Sequence, residues 1–369
     1  MRLAIAGCGI IGDFHAGVAD SLPDLDVVAL VDPVETARRK VAEKHGLDVD
    51  KLGHPSLTEA LAATDVDIVA VCTPSGYHAD VAVEALEAGC HVVIEKPIDV
   101  NLEAAGRIQA AAERAGTVVT VISQHRFDPG NAAVHSAIGS GRLGTVTSGT
   151  ASVPWWRSQD YYDSGDWRGT WALDGGGAVM NQGVHTLDLL LWMLGEPVEV
   201  FAWTATLAHE RIEVEDVLTA VVRFASGALG TVHATTASNP GAGVRISVHG
   251  DGGTAILDND QLSWFVSTVD TAPGDRPTNT ADAEVDALGR DPLGADAIAG
   301  AAVAGWAASD PTALGSAHAS QYLDFLDAIA TGRNPKVGID DASTALRVIR
   351  GMYASARSGA PVRLADVEV

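Results

Sequence analysis

The chain has 369 residues, more than one hydrophobic core usually supports, so two domains are expected. With 47 % hydrophobic and 20 % charged residues it has the composition of an ordinary globular protein, and no apolar run reaches the roughly 18 residues that cross a bilayer. The formal net charge of −24, from 24 basic and 48 acidic residues, repels phosphate backbones and anionic lipid and argues against nucleic-acid or membrane partners.

In chain order, Arg2 precedes the apolar run Leu3–Ala6, which turns at once into glycines; this reads as a strand and not as an export signal, so a cytoplasmic protein is expected. Over the first ~125 residues, short unbroken apolar runs alternate with helical patterns, as in a parallel sheet covered on both faces. The predicted strands are Leu3–Ala6, Val27–Val31, Ile68–Cys72, Val92–Ile94 and Val118–Ile122. Between them, Ser56-Leu57-Thr58-Glu59 reads as a capping box, and Gly89 and Gly116 stand where left-handed cap residues belong.

Beyond Gln124 the pattern changes. Runs rich in Thr and Val at Thr145–Val153, Val198–Leu207, Asp216–Phe224, Ala228–Ser238, Val244–Val248 and Ala255–Leu257 predict a large, mostly antiparallel sheet. One apolar helix, Ala178 to Leu194, interrupts the series. Residues 270–312 predict a long loop with one helix, and two helices follow, His318–Ala330 and Asp341–Arg357. The expected fold is therefore α/β. An N-terminal Rossmann domain (1–124) precedes an α+β domain (125–369) with an open-faced sheet, whose last helices are free to pack back on the first domain.

Gly7-Cys8-Gly9-Ile10-Ile11-Gly12 joins the first strand to a helix, and Asp32 ends the second strand 20 residues after Gly12. This context gives a tight turn, close backbone approach to a pyrophosphate, a helix N-terminus for its charge and a carboxylate for the ribose hydroxyls. Gly7, Gly9, Ile10, Ile11, Gly12 and Asp32 are expected to bind NAD; NADP is the weaker alternative, since Arg38 and Arg39 lie nearby but read as a solvated helix face. Thr73, Pro74 and His78 follow the third predicted strand and Glu95-Lys96-Pro97 the fourth, on the edge where open α/β sheets bind ligands, so all are expected near the cofactor. Lys96 there either steadies a substrate oxyanion or is a surface lysine.

Asn181, His185 and Asp188 share one helical face; His185 suits proton exchange, the alternative being a buried histidine held by Asp188. Trp155-Trp156-Arg157, Tyr161, Tyr162, Trp167 and Arg168 suit stacking on a sugar ring and gripping hydroxyls or an anion, or else packing beneath a loop. Cys8, Cys72 and Cys90 have no metal-ligand spacing and read as free thiols; no metal is expected.

Taken together, Gly7-x-Gly9-x-x-Gly12, Thr73-Pro74-x-x-x-His78, Glu95-Lys96-Pro97, Gly175-Gly176-Gly177…His185-x-x-Asp188, His318-x-x-Gln321-x-x-Asp324 and Gly332-Arg333-x-Pro335 resemble the Gfo/Idh/MocA oxidoreductases over nearly the whole chain. The resemblance implies that Lys96 polarises the reacting hydroxyl and that His185 accepts its proton. It also implies a dimer or tetramer formed through the second-domain sheet. Inositol dehydrogenase-like members carry an aspartate where this chain has Asn181, and the segment Trp167 to His185 is more similar to members acting on pyranose sugars. Arg126, Arg157, Tyr162, Trp167, Arg168 and Asn181 are then expected to hold a sugar, anhydrosugar or cyclic polyol. Two alternatives on the same fold are NAD-dependent, redox-neutral glycoside cleavage and a non-catalytic sugar sensor.

Overall fold

The structure is a computed structural model that describes residues 1–270 and 315–367. The expected loop at 270–312 lies almost wholly outside the described residues.

Six strands, β1 (Arg2–Ala6), β2 (Asp26–Val31), β3 (Gly53–His54), β4 (Ile68–Val71), β5 (His91–Ile94) and β6 (Val119–Val121), form a parallel sheet in the order β3-β2-β1-β4-β5-β6. Ile68–Val71 is buried at every position, as a strand covered on both faces must be. Strand order reverses between β1 and β4, so a crevice opens beyond their carboxyl ends. The helices α1 (Ile10–Asp20), α2 (Glu35–His45), α3 (Val49–Leu52), α4 (Leu57–Ala63), α5 (His78–Glu87) and α6 (Leu102–Ala115) connect these strands. The Ser56 hydroxyl accepts from Glu59 N at 3.3 Å to cap α4, and Gly116 closes α6 at φ +66°, both as the sequence predicts.

After α7 (Pro129–Gly139), the second sheet contains β7 (Val146–Pro154), β8 (Pro197–Ala205), β9 (Val217–Phe224), β10 (Leu229–Thr235), β11 (Arg245–Gly250), β12 (Gly253–Asp258), β13 (Gln261–Ser267) and β14 (Val362–Arg363). Its order is β13-β12-β11-β7-β10-β9-β8-β14, antiparallel except where β10 runs parallel to β7. Strict alternation of burial along β9 puts Leu218, Ala220, Val222 and Phe224 under cover and leaves Thr219, Val221 and Arg223 in solvent. Three strands escaped the sequence pattern. β3 and β14 are two residues long, and β13 carries polar and apolar residues along a sheet edge.

Between β7 and β8 lie a short α8 (Gln159–Asp163) and a helix that sequence periodicity reads as continuous from Ala178 to Leu194. It is broken in kind: Ala178–Gly183 is a π-helix and α9 (Val184–Leu194) is α-helical. Wide π-turns of this sort gather at functional sites.

The last helices, α10 (Gly315–Thr331) and α11 (Ile339–Ser358), return to both layers. Tyr322 and Phe325 of α10 are buried in one cluster with Leu3, Ile5 and Ile68, which stabilises the closure by about 1.5–3 kcal/mol for each large side chain removed from water. Tyr353 and Met352 of α11 join the core beneath the second sheet. No helix among the described residues is long and apolar enough to cross a membrane.

Candidate active site

The glycine loop is dictated by crowding. A Cβ on Gly7, which adopts φ +100°, would lie 2.5 Å from Cys72 O, and one on Gly12 would lie 1.9 Å from Gly7 O. Gly9 is different: nothing lies within 4 Å of its Cβ position, so the space in front of α1 is open. The first amides of α1 have no side-chain cap, and Ile10 is 69 % exposed beside them. An uncapped helix start facing open space suits a pyrophosphate.

Asp32, at the end of β2, accepts from Cys8 N at 2.9 Å and Val34 N at 2.8 Å, which fixes its carboxylate beside the loop. Arg38 donates to the Asp32 carbonyl, and Arg39 donates to Glu35 at 2.9 Å. Arg39 is thus paired, whereas the buried Arg38 Nε has no partner among the described residues; the Asp32 carboxylate favours the unphosphorylated ribose of NAD. The Thr73 Oγ1, just after β4, is buried with no hydrogen-bond partner among the described residues. The loop, the open helix start, Asp32 and Thr73 thus fit a dinucleotide.

Two residues expected at the cofactor are buried braces. His78 sets Nδ1 2.8 Å from Pro97 O and Nε2 2.9 Å from Thr73 O, which ties the loops after β4 and β5 together; burial lowers its pKa. Glu95 lies 3.0 Å from His15 Nε2, and His15 Nδ1 lies 2.7 Å from Tyr322 OH. Burial works to raise the Glu95 pKa, but His15, His318 and Lys96 hold it down at about 2. The chain from Glu95 through His15 to α10 clamps the base of the Lys96 loop.

Lys96, whose bond to Pro97 is cis, donates from Nζ to Asn181 O at 3.0 Å and Asn181 Oδ1 at 3.2 Å. Asn181 Nδ2 donates to Asp174 Oδ1 at 2.8 Å, and Asp174 also accepts from Gly169 N. The amide is thus oriented by Asp174 and presents oxygen to the lysine. Burial lowers the Lys96 pKa, opposed by Glu95 and Asp174 and assisted by Arg168 and Arg157.

His185 opens α9 next to the π-turn. Its Nδ1 is buried without a partner among the described residues, and its pKa lies well below the ordinary imidazole value through burial, then repulsion from His125, Lys96 and His318. The buried-histidine alternative had Asp188 as its holder, and the structure gives Asp188 other partners. Its oxygens accept from Arg126 Nη2 at 2.6 Å, Arg126 Nε at 2.8 Å and Ser123 Oγ at 2.9 Å.

The same contacts correct the expectation for Arg126. With its third nitrogen 2.9 Å from Asp341, it is a buried structural ion pair and has no free fork for a substrate. Tyr162 is corrected as well. It is buried with its hydroxyl 2.8 Å from Thr236 Oγ1, and its neighbour Tyr161 takes the crevice side, bonded to Arg168 and Gln182. Successive residues of α8 point about 100° apart, so of two adjacent tyrosines one goes into the core.

Arg157 lies over the rings of Trp155 and Tyr161, and Arg168 over those of Tyr161 and Trp167. His125 was not anticipated. Its ring lies 5.1 Å from that of His185, and its Nδ1 faces Asp128 at 2.9 Å and Asp260 at 3.0 Å. Burial disfavours its charge, but the two carboxylates raise its pKa to about 10. His125, Asp128 and Asp260 are spaced as ligands of one cation, and here the imidazolium N–H itself bridges the carboxylates. A signal for His125 did exist: it follows β6, whose carboxyl end opens on the same edge as Thr73 and Lys96.

Comparison with known proteins identifies the family. Residues 1–123 match the family profile described as an oxidoreductase family with an NAD-binding Rossmann fold, and residues 131–256 match the GFO/IDH/MocA C-terminal domain. The chain is 29 % identical over 280 residues to the inositol 2-dehydrogenase of Rhizobium meliloti, covering 73 % of this chain and 79 % of that one. It is 30 % identical over 277 residues to the myo-inositol 2-dehydrogenase of Thermotoga maritima, covering 73 % and 78 %. Among solved structures, the WlbA dehydrogenase of Bordetella pertussis in complex with NADH and UDP-GlcNAcA aligns with a TM-score of 0.82 and 29 % identity, covering 98 % of this chain and 97 % of that one.

Proposed function

The chain belongs to the GFO/IDH/MocA oxidoreductases, and from that premise we propose that it oxidises a ring carbinol of a sugar, anhydrosugar or cyclic polyol with NAD. The observation that carries this reading is the pairing of Lys96 with Asn181 opposite a histidine, His185, kept as a neutral base beside the cofactor crevice. When bound, NAD supplies the hydride acceptor. The open α1 terminus, Asp32 and Thr73 hold it.

Lys96 exchanges one of its Asn181 contacts for the substrate oxygen and stabilises the negative charge that develops there. His185 takes the hydroxyl proton, for which a neutral imidazole is required. Asn181 cannot relay a proton and keeps the lysine aimed. Arg157, Tyr161, Trp167 and Arg168 form the wall on which the ring rests. Relatives named as inositol dehydrogenases and a neighbour solved with UDP-GlcNAcA support a hydroxyl-bearing ring as the substrate.

We also place the enzyme in the cytoplasm, consistent with three free cysteines, Cys8, Cys72 and Cys90. As a homo-oligomer it would cover the exposed sheet face that carries Trp203, Val221 and Leu229. The test of the catalytic reading is NADH formation on a panel of monosaccharides, anhydrosugars, inositols and nucleotide sugars. Lys96→Ala and His185→Ala should abolish turnover while NAD still binds. Normal NAD reduction by both variants would refute the mechanism.

A further inference from the structure

We propose that the substrate of this site carries an oxyanion, a carboxylate or a phosphate, and that Arg157 and Arg168 receive it; this rests on the dehydrogenase reading above. The argument begins from charge. The chain has 48 acidic and 24 basic residues, so an arginine that needs a carboxylate has many within reach. Arg2, Arg39, Arg107, Arg211, Arg245 and Arg333 each have one. Among the described residues Arg157 and Arg168 form no ion pair, as is also true of Arg38, Arg347, Arg350, Arg357 and Arg363, but Arg157 and Arg168 are the two that stand near Lys96.

They are nevertheless held in place. The Arg157 guanidinium carbon lies 5.0 Å from the Tyr161 ring centre and 5.3 Å from that of Trp155. That of Arg168 lies 4.4 Å from Tyr161 and 4.4 Å from Trp167. The Arg157 backbone is fixed from both sides, its N–H bonded to Thr236 O and its carbonyl to His209 Nε2. Among the described residues Arg168 donates only to the hydroxyls of Ser164 and Tyr161, and the buried Arg157 Nε has no partner.

Two cations therefore share one aromatic ring, and both repel the Lys96 ammonium strongly enough to help lower its pKa. Cation–π contact holds each guanidinium in place but brings no negative charge against it in a half-buried crevice. Asp174 attracts Arg168 and Lys96 through space, but its carboxylate is turned to Gly169 N and Asn181 Nδ2 and forms no ion pair with either arginine. What the two guanidinium groups lack is an anion in direct contact, and their forks are matched to carboxylate and phosphate oxygens. The Tyr161 hydroxyl bonds both Arg168 and Gln182, the residue after Asn181, so this anion subsite adjoins the carbon to be oxidised.

The experiment titrates the NAD-loaded protein with matched neutral and acidic probes while NADH is followed. The probes are glucose against glucuronate and glucose 6-phosphate, N-acetylglucosamine against its UDP derivative, and inositol against inositol 1-phosphate. At least one acidic probe should bind about ten-fold or more tightly than its neutral partner. Arg157→Gln and Arg168→Gln should each erode that ratio by about ten-fold, and Arg→Lys should retain part of it. NAD affinity checks that each variant is folded, and the pair with the largest ratio tells carboxylate from phosphate. Equal binding within every pair, no binding of any acidic probe, or ratios unchanged in both glutamine variants would overturn the inference. Arginine-dependent binding of an acidic probe with no NADH from any probe would instead refute the dehydrogenase reading alone.

Discussion

His125 presents its ring to His185 edge-on, with centroids 5.1 Å apart and planes at 77°, while two carboxylates hold it as an imidazolium. A fixed positive charge at that distance disfavours a second one on His185. Lys96 and His318 repel in the same sense, and Arg126 is neutralised by Asp188 and Asp341. His185 is active as a proton acceptor only when neutral, so activity should stay level well below pH 6.5 before its acid limb begins. His125→Gln removes the charge and should move that limb upward, burial still holding it below the ordinary imidazole range. An NMR titration of the His185 ring protons reads the same shift without substrate. An unmoved His185 titration in the variant would show that His125 does not set it.

Asp260, one of the two carboxylates behind His125, occupies a left-handed position at φ +63° in the turn between β12 and β13. Glycine is favoured at such a turn position, so the aspartate side chain is retained at a backbone cost of about 1 kcal/mol. It contacts both His125 and Asn131.

How much of this could be seen in the sequence depended on whether chemistry or packing selected a residue. The Gly7–Gly12 loop, Asp32 and Lys96 sit at strand ends, and a strand end is legible from an unbroken apolar run. Tyr161 and Tyr162 are adjacent and chemically identical, and only the rotation of α8 about its axis decides which one faces the crevice. The π-turn at Ala178–Gly183 is invisible because it does not change composition. Asp188 looked like a partner for His185 because helix spacing reports which residues share a face, not which cation from another segment reaches them first. Arg126 was that cation.

Arg126 supplies a test of this difference between structural and substrate-binding roles. Its fork on Asp188 is buried, so Arg126→Ala should leave a nearly uncompensated carboxylate and cost about 3–5 kcal/mol in urea unfolding. Combining Arg126→Met with Asp188→Asn should recover much of the loss, since both charges are then gone. A single variant of unchanged stability but weakened substrate binding would restore the substrate-facing role.

Asp32 is expected to set cofactor choice through its carboxylate. Asp32→Asn keeps one acceptor oxygen for the Gly7–Gly12 turn yet removes the charge. NAD affinity should fall about ten-fold and the ratio of NADP to NAD binding should rise, both measured by quenching of protein fluorescence on titration. Unchanged affinities for both nucleotides would place the ribose elsewhere.

Glu215 links pH to the integrity of the site. Its carboxylate accepts from Gly177 N at 2.9 Å and Val179 N at 3.0 Å, and so holds the start of the π-helix that presents Asn181 to Lys96. A Cβ on Gly177 would lie 1.7 Å from Glu215 O, which explains the glycine there. Burial raises the Glu215 pKa to about 7 despite these bonds. Between pH 4.5 and 7 the folded protein keeps a proton that the unfolded chain has released, so this group makes stability fall as pH rises across that window. The drop attributable to it is roughly 3 kcal/mol and ends above pH 7. Glu215→Gln cannot titrate, and its amide nitrogen cannot accept from a backbone N–H, so the variant should be about 1–3 kcal/mol less stable than the wild type at pH 5. The gap should close as pH approaches 8, where the wild-type carboxylate is charged and buried. Urea unfolding of both proteins at pH 5, 6, 7 and 8 measures it, and parallel stability curves would show that Glu215 is already ionised in the folded protein at pH 5.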